Sequence, residues 1–161
     1  MRIAFGSDHA GVILKKELLD FVSSLGHEVV DCGGGEHQRV DYTDFAFAVS
    51  SGVAEGKYDR GILVCGTGLG MSIAANKVRG VRAARCHDCY SARMSREHND
   101  ANVLCLGGRV IGSELAKEVV KTFLTSEFSN GENHRRRLRR ISEYETQSPG
   151  RRSFSDTYES R

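Results

Sequence analysis

The sequence has one proline, Pro149, in 161 residues, so no ring breaks a helix or a sheet ladder before that point. The stretch after it, Gly150 to Arg161, is polar, aperiodic and poor in aliphatic residues, and 149–161 is expected to be a flexible tail. No apolar run approaches the ~18 residues that a membrane span needs. The first residues, Met1-Arg2-Ile3-Ala4-Phe5-Gly6, are expected to open as a strand, and no signal peptide is expected. No membrane association is expected, and the expected location is cytoplasmic. Without a secretory signal the five cysteines (32, 65, 86, 89 and 105) read as reduced thiols. Cys86-His87-Asp88-Cys89 has C-x-x-C spacing, but no second Cys/His pair follows at finger-like distance, so no metal is expected.

Net charge is also scarce, at +2, but it is unevenly placed. From His134 onward eight arginines face four acids, while the preceding residues carry a small acidic excess. A nucleic-acid binder would spread basic patches and aromatics over its body, so no nucleic-acid partner is expected. A short basic run can equally hold a single phosphate.

With 39% hydrophobic and 27% charged residues, the chain has the composition of one globular domain, expected over 1–148. Its body alternates β-type runs with amphipathic stretches. Ile3-Ala4-Phe5, Glu28 to Asp31, Gly61 to Cys65, Val81 to Cys86 and Val103 to Leu106 read as strands. Ala10, Ile13, Leu14, Leu18, Phe21, Val22 and Leu25 form a helical stripe, and Asp41-x-x-Asp44 can cap a second helix. Further helices are expected from Met71 to Asn76, from about Cys89 to His98, around Ile111 to Phe123, and over about 133–147. Five mostly continuous apolar strands between helices imply an α/β fold, its parallel sheet covered on both faces. Right-handed crossovers then bring every strand-to-helix loop to the carboxyl edge, where ligands bind. The loops there are Gly6-Ser7-Asp8-His9, Cys65 to Gly70, and Gly107-Gly108-Arg109.

Cys65-Gly66-Thr67-Gly68-Leu69-Gly70 carries the most chemistry. Three glycines leave backbone N–H groups able to converge on an anion, ahead of a helix N-terminus. The spacing is G-x-G-x-G after the third strand, not the dinucleotide G-x-G-x-x-G after the first. Met71 occupies the position where a cysteine phosphatase needs arginine, and Gly70-Met71-Ser72 lacks the P-loop lysine. A cysteine beside such amides favours the thiolate. A base next to an oxyanion hole is the equipment for removing a proton α to a carbonyl and holding the enediolate. The plainer alternative for Cys65 is a small buried residue.

Four motifs now stand in order: Gly6-Ser7-Asp8-His9-Ala10-Gly11, Cys65 to Gly70, Ser91 to Asn102 (SARMSREHNDAN), and Gly107-Gly108-Arg109-Val110-Ile111-Gly112. In these the chain resembles, over about Met1 to Glu145, the type B ribose-5-phosphate isomerases and their allose- and galactose-6-phosphate isomerase relatives. The resemblance implies a three-layer α/β/α Rossmann-like sandwich with a five-stranded parallel sheet. It implies no cofactor, and a homodimer or tetramer whose active site is shared between subunits. It assigns Cys65 as the base that moves a proton between C1 and C2, and the amides of Gly66, Gly68, Leu69 and Gly70 to the enediolate. His98 becomes the acid/base that opens the furanose ring, with Thr67 near it. Asp8, His9, Tyr42, Asn99 and Arg109 become substrate contacts. Of two family arginines on the last helix that reach the partner's phosphate site, Arg137 matches the second. Asn133 stands where the first would be, which leaves Arg136 or Arg140 to replace it. The expected substrate is a sugar phosphate, ribose 5-phosphate interconverting with ribulose 5-phosphate. The alternatives are a six-carbon sugar phosphate, or non-catalytic binding of a sugar phosphate or nucleotide.

Overall fold

The computed structural model describes residues 1–34 and 41–147; the expected tail, 149–161, lies outside them. The most apolar runs become the middle of the sheet. They are β1 (Arg2–Ser7), β3 (Arg60–Cys65) and β5 (Val103–Gly107). The less buried β2 (Glu28–Asp31) and the three-residue β4 (Ala83–Arg85) take the edges. All pairings are parallel, in the order β2-β1-β3-β5-β4. β4 is shorter than the expected 81–86 because Val81 closes a turn onto Val78, and the Arg82 amide donates to the Asn102 side chain instead of a ladder.

Alternation along the strands sorts side chains into two cores. Ile3, Phe5, Ile62, Val64, Leu104 and Leu106 face α1 (Val12–Ser24), α4 (Cys89–Glu97) and α5 (Ser113–Thr125). Ala4, Leu63, Cys65, Val103 and Cys105 face α2 (Tyr42–Ala54) and α3 (Leu69–Ala75). This is the three-layer α/β/α arrangement, with Cys65 on its α2–α3 side. Asp41 holds the N-cap position of α2, but its side chain makes no capping hydrogen bond.

β2 and β3 lie on opposite sides of β1, so the chain leaves β1 one way and returns the other. Such a reversal, here at the carboxyl ends of β1 and β3, marks the usual ligand position in open α/β sheets. Asp8 follows one strand and Cys65 ends the other.

The body is one compact unit, Met1–Asn130, and the C-terminal segment is a second. The described part of the latter is α6 (Glu132–Gln147), a 16-residue helix that buries none of its side chains. Leu138, Ile141 and Tyr144 recur on it at three-residue steps, an apolar stripe along an otherwise charged helix. Among the described residues no helix is long and apolar enough to cross a membrane.

Candidate active site

Three loops interlock at the carboxyl edge, largely through main chain. The amide of Asp8 donates to Val64 O at 3.2 Å, Gly108 N to Cys65 O at 2.8 Å, and Arg109 N to Gly66 O at 3.1 Å. A Cβ on Gly108 would lie 2.9 Å from Ala10 O, so the first and last loops meet backbone to backbone. The Asp8 carboxylate is buried and accepts from the amides of Ala10 and Gly11 at 2.9 and 3.0 Å. It caps the turn rather than the helix, which starts at Val12. His9 is exposed beside it.

In the second loop Cys65 is 5% exposed, and Gly68 N donates to its sulfur at 3.1 Å. Gly68 reaches that position with φ +77°, and a Cβ there would sit 3.0 Å from the Leu106 carbonyl carbon. Only glycine combines the angle with the space. α3 begins at Leu69, two residues before the expected start, so its first turn lies within the loop. The leading amides of that turn have no intrahelical acceptor by construction. Thr67 is exposed, with its hydroxyl accepting from Leu69 N at 3.3 Å.

The Tyr42 ring packs against this loop. A Cβ on Gly70 would be 2.7 Å from its ring carbon Cζ and 3.1 Å from its hydroxyl. Arg109 approaches from the other side, its Cδ 3.7 Å and Nη1 3.9 Å from where a Gly66 Cβ would stand. Beside Arg109 and His9 opens a cavity of about 400 Å³, also lined by Ile13, Glu17 and Ser113. Asp8, His9, Tyr42, Cys65 to Gly70 and Arg109 are therefore gathered at one edge, with His9 and Arg109 on the wall of that cavity.

His98 and Asn99 are not gathered there. α4 starts at the carboxyl edge and runs back across the sheet, so its C-cap, His98, falls at the amino edge. The Arg82 side chain, just before β4, donates to Asn99 O at 2.9 Å and pairs with Asp100 at 2.9 Å. The β3–β5 register from Gly61↔Val103 to Cys65↔Gly107 spans about 13 Å at the usual strand rise. The expectation that Thr67 stands near His98 is thus not met within one chain. Arg137 lies exposed on α6 in the second unit, where Glu132, Arg135, Arg136 and Arg139 line a concavity of their own.

Two side chains to which the sequence assigns no role at this edge support the loops. Arg85 Nε donates to Thr67 O at 2.7 Å, and His87 Nε2 accepts from Gly107 N at 2.9 Å. Their only signal is register, since Arg85 pairs with Cys105 and His87 falls level with Gly107. Among the described residues no three His, Cys, Asp or Glu side chains form a metal-binding group.

The profile of the Ribose/Galactose Isomerase family matches residues 3–141. Ribose-5-phosphate isomerase B of Escherichia coli is 48% identical, over 89% of this chain and 96% of its own length. A D-erythrulose-4-phosphate isomerase of Pectobacterium atrosepticum is 46% identical, over 81% and 87%. Among solved structures, ribose-5-phosphate isomerase B of Clostridium thermocellum superposes with a TM-score of 0.89. It is 53% identical, over 91% of this chain and 99% of that one.

Proposed function

The chain belongs to the ribose/galactose isomerase family and is an aldose–ketose isomerase of sugar phosphates, and from that premise we propose that it interconverts ribose 5-phosphate and ribulose 5-phosphate with Cys65 as the base. The observation that carries this reading is the sulfur at the end of β3, with an amide aimed at it from 3.1 Å. Around it stand Asp8, Tyr42 and Arg109, the polar groups that a phosphorylated sugar requires.

The chemistry is internally redox-neutral, since C1 gains the electrons that C2 gives up. The Cys65 thiolate removes the proton from C2 of the open-chain aldose. The C2–H electron pair becomes the C1–C2 double bond, and negative charge moves to O1. The amides of Gly66 to Gly70 hold that oxygen; one well-placed donor of this kind lowers a barrier by about 3 kcal/mol. The O2 proton then passes to O1, with the Thr67 hydroxyl as the nearest carrier in the loop. Cys65 returns its proton to C1, leaving a ketone at C2. His9 and Arg109 are the side chains that meet the phosphate. A guanidinium can grip two phosphate oxygens at once.

Ring opening requires an acid at the ring oxygen and a base at the anomeric hydroxyl. His98 fills that role from a second copy of the chain, which brings its amino-edge turn, with Asn99, to this carboxyl edge. Two features favour the shared site. One is the strand-length gap between His98 and Cys65 within one chain. The other is α6, whose Leu138–Ile141–Tyr144 stripe is unburied and whose Arg137 is a cation for the partner's phosphate.

The test is proton NMR of ribose 5-phosphate with the protein in deuterated water. The expected result is formation of ribulose 5-phosphate with solvent deuterium entering at the transferred position. Cys65→Ala should lower kcat by about 10²–10⁴-fold, the usual worth of a positioned base, while the sugar phosphate still binds. Normal turnover in that variant would remove Cys65 from the mechanism. The erythrulose-4-phosphate relative makes a four-carbon substrate the competing length. A higher kcat/KM for erythrulose 4-phosphate than for ribulose 5-phosphate would decide for it.

A further inference from the structure

We propose that His87 is a positioning residue for the isomerase, its neutral imidazole accepting the Gly107 amide and thereby fixing the turn that carries Arg109 against the Cys65 loop. The inference rests on the reading of that loop as the reaction site, and it adds a residue whose ring never touches the sugar.

The contact is specific about protons. Gly107 N–H points to His87 Nε2 at 2.9 Å. A ring nitrogen that accepts a hydrogen bond carries no proton, so the ring proton resides on Nδ1. An imidazolium would turn N–H toward N–H at this place, and the contact could not persist.

Gly107 has little freedom to move alone. A Cβ there would lie 2.9 Å from both Thr67 C and Thr67 O, and 2.7 Å from Val110 Cγ2. Its carbonyl accepts from Val110 N and Ile111 N, and the next two amides, of Gly108 and Arg109, bond to Cys65 O and Gly66 O. A displacement of Gly107 therefore carries Arg109 and presses on Thr67. Arg85 Nε, on Thr67 O at 2.7 Å, is a second tie from the same strand end. The edge strand β4 and the residues just after it thus brace two of the three active loops.

The charged groups acting on His87 are Arg85 from β4 and Asp88 at the head of α4. Gly107, its hydrogen-bond partner from β5, brings no titratable side chain. Burial and then Arg85 hold the imidazole below its ordinary 6.5, against the opposing pull of Asp88. The brace is therefore intact at neutral pH and fails only in acid. In the unfolded chain the ring protonates first as pH falls, so folding stability declines from about pH 6.5 down to the lowered folded value and is level above it.

Two measurements test this. In nitrogen-15 NMR of the wild-type protein, the His87 ring should show the Nδ1–H tautomer. The Gly107 amide shift should titrate with His87, at a midpoint below 6.5, and should not do so in His87→Gln. In kinetics with ribose 5-phosphate, His87→Ala should lower kcat/KM about tenfold, mainly through KM, as a displaced binding group would. His87→Gln, whose amide oxygen can accept the same N–H without titrating, should recover most of that loss and lack the wild type's additional fall below pH 6.5. A Gly107 amide indifferent to His87 overturns the proposal, and so does a His87→Ala enzyme with wild-type kcat/KM. If the wild type does not turn over ribose 5-phosphate, the substrate reading falls instead. The amide titration then still decides the contact, and the affinity for inorganic phosphate, about fivefold weaker in His87→Ala, decides the positioning.

Discussion

The Lys15 ammonium and the Asp31 carboxylate meet at 2.6 Å, the lysine 2% exposed and the aspartate 45%. The same ammonium donates to the carbonyls of Gly33 and Gly34 at 2.9 and 3.3 Å, so one buried cation from α1 ties down the chain leaving β2. Because Asp31 is half in water, its Coulombic share is small, and the two carbonyls carry much of the effect. Lys15→Met should destabilise the protein by about 1–3 kcal/mol, read as a lower urea midpoint. Asp31→Asn should cost less, because the carbonyls keep their donor. Equal losses would show that the ion pair dominates.

Gly68 and Gly80 make a matched pair for the glycine loop. Both have positive φ, +77° and +80°, but a Cβ at Gly80 meets nothing within 4 Å, whereas at Gly68 it meets the Leu106–Gly107 backbone. Gly80→Ala should cost only the left-handed penalty, about 1–2 kcal/mol. Gly68→Ala should cost more in thermal unfolding and also lower kcat, since it moves the amide that faces Cys65. A Gly68→Ala enzyme with unchanged kcat would show that this amide has no part in the reaction.

A shared site predicts complementation. Cys65→Ala and His98→Ala homo-oligomers should each be severely impaired. After subunit exchange in a twofold dimer, about one quarter of wild-type activity should return, because half of the dimers are mixed and each holds one intact site. No recovery, once exchange has been verified by mass spectrometry, would place both groups in one subunit.

Asp88 supplies an acid-range stability signal. Its carboxylate accepts from Ser91 N at 2.7 Å and from the Ser91 hydroxyl at 2.6 Å, capping α4. The hydroxyl first, and then the amide, hold its pKa below the ordinary 3.8. The folded state therefore releases this proton more readily than the unfolded one. The stabilisation is complete above pH 3.8 and disappears as pH falls through the lower folded value. The gap in Tm between wild type and Asp88→Ala should be constant near neutrality and close in acid. A gap that persisted below that range would assign the effect to packing.

The sheet and its active edge were legible because they depend on local signals. Gly61 to Cys65 and Val103 to Leu106 are continuous apolar runs, and three glycines after Cys65 mark a backbone that must come close to something. His87 was not legible in the same way. Its contact with Gly107 exists only because β5 inserts between β3 and β4, an order that no local pattern encodes. Lys15 was hidden for a related reason, as a charged residue within an apolar stripe whose partners lie at and just after the end of β2. The position of His98 follows from an antiparallel return helix, and motif resemblance, which carries no distances, set it beside Thr67.

Where Gly66–Gly70, Gly107 and Gly108 adjoin one another, the working surface is peptide and not side chain. An alanine scan of its glycines would misreport it, since each such replacement adds a methyl and removes nothing. Exchanging a single amide linkage for an ester, which deletes one N–H and retains the shape, is the operation that reaches such a surface. Tolerance to substitution at these glycines should accordingly follow volume, with polarity a minor consideration.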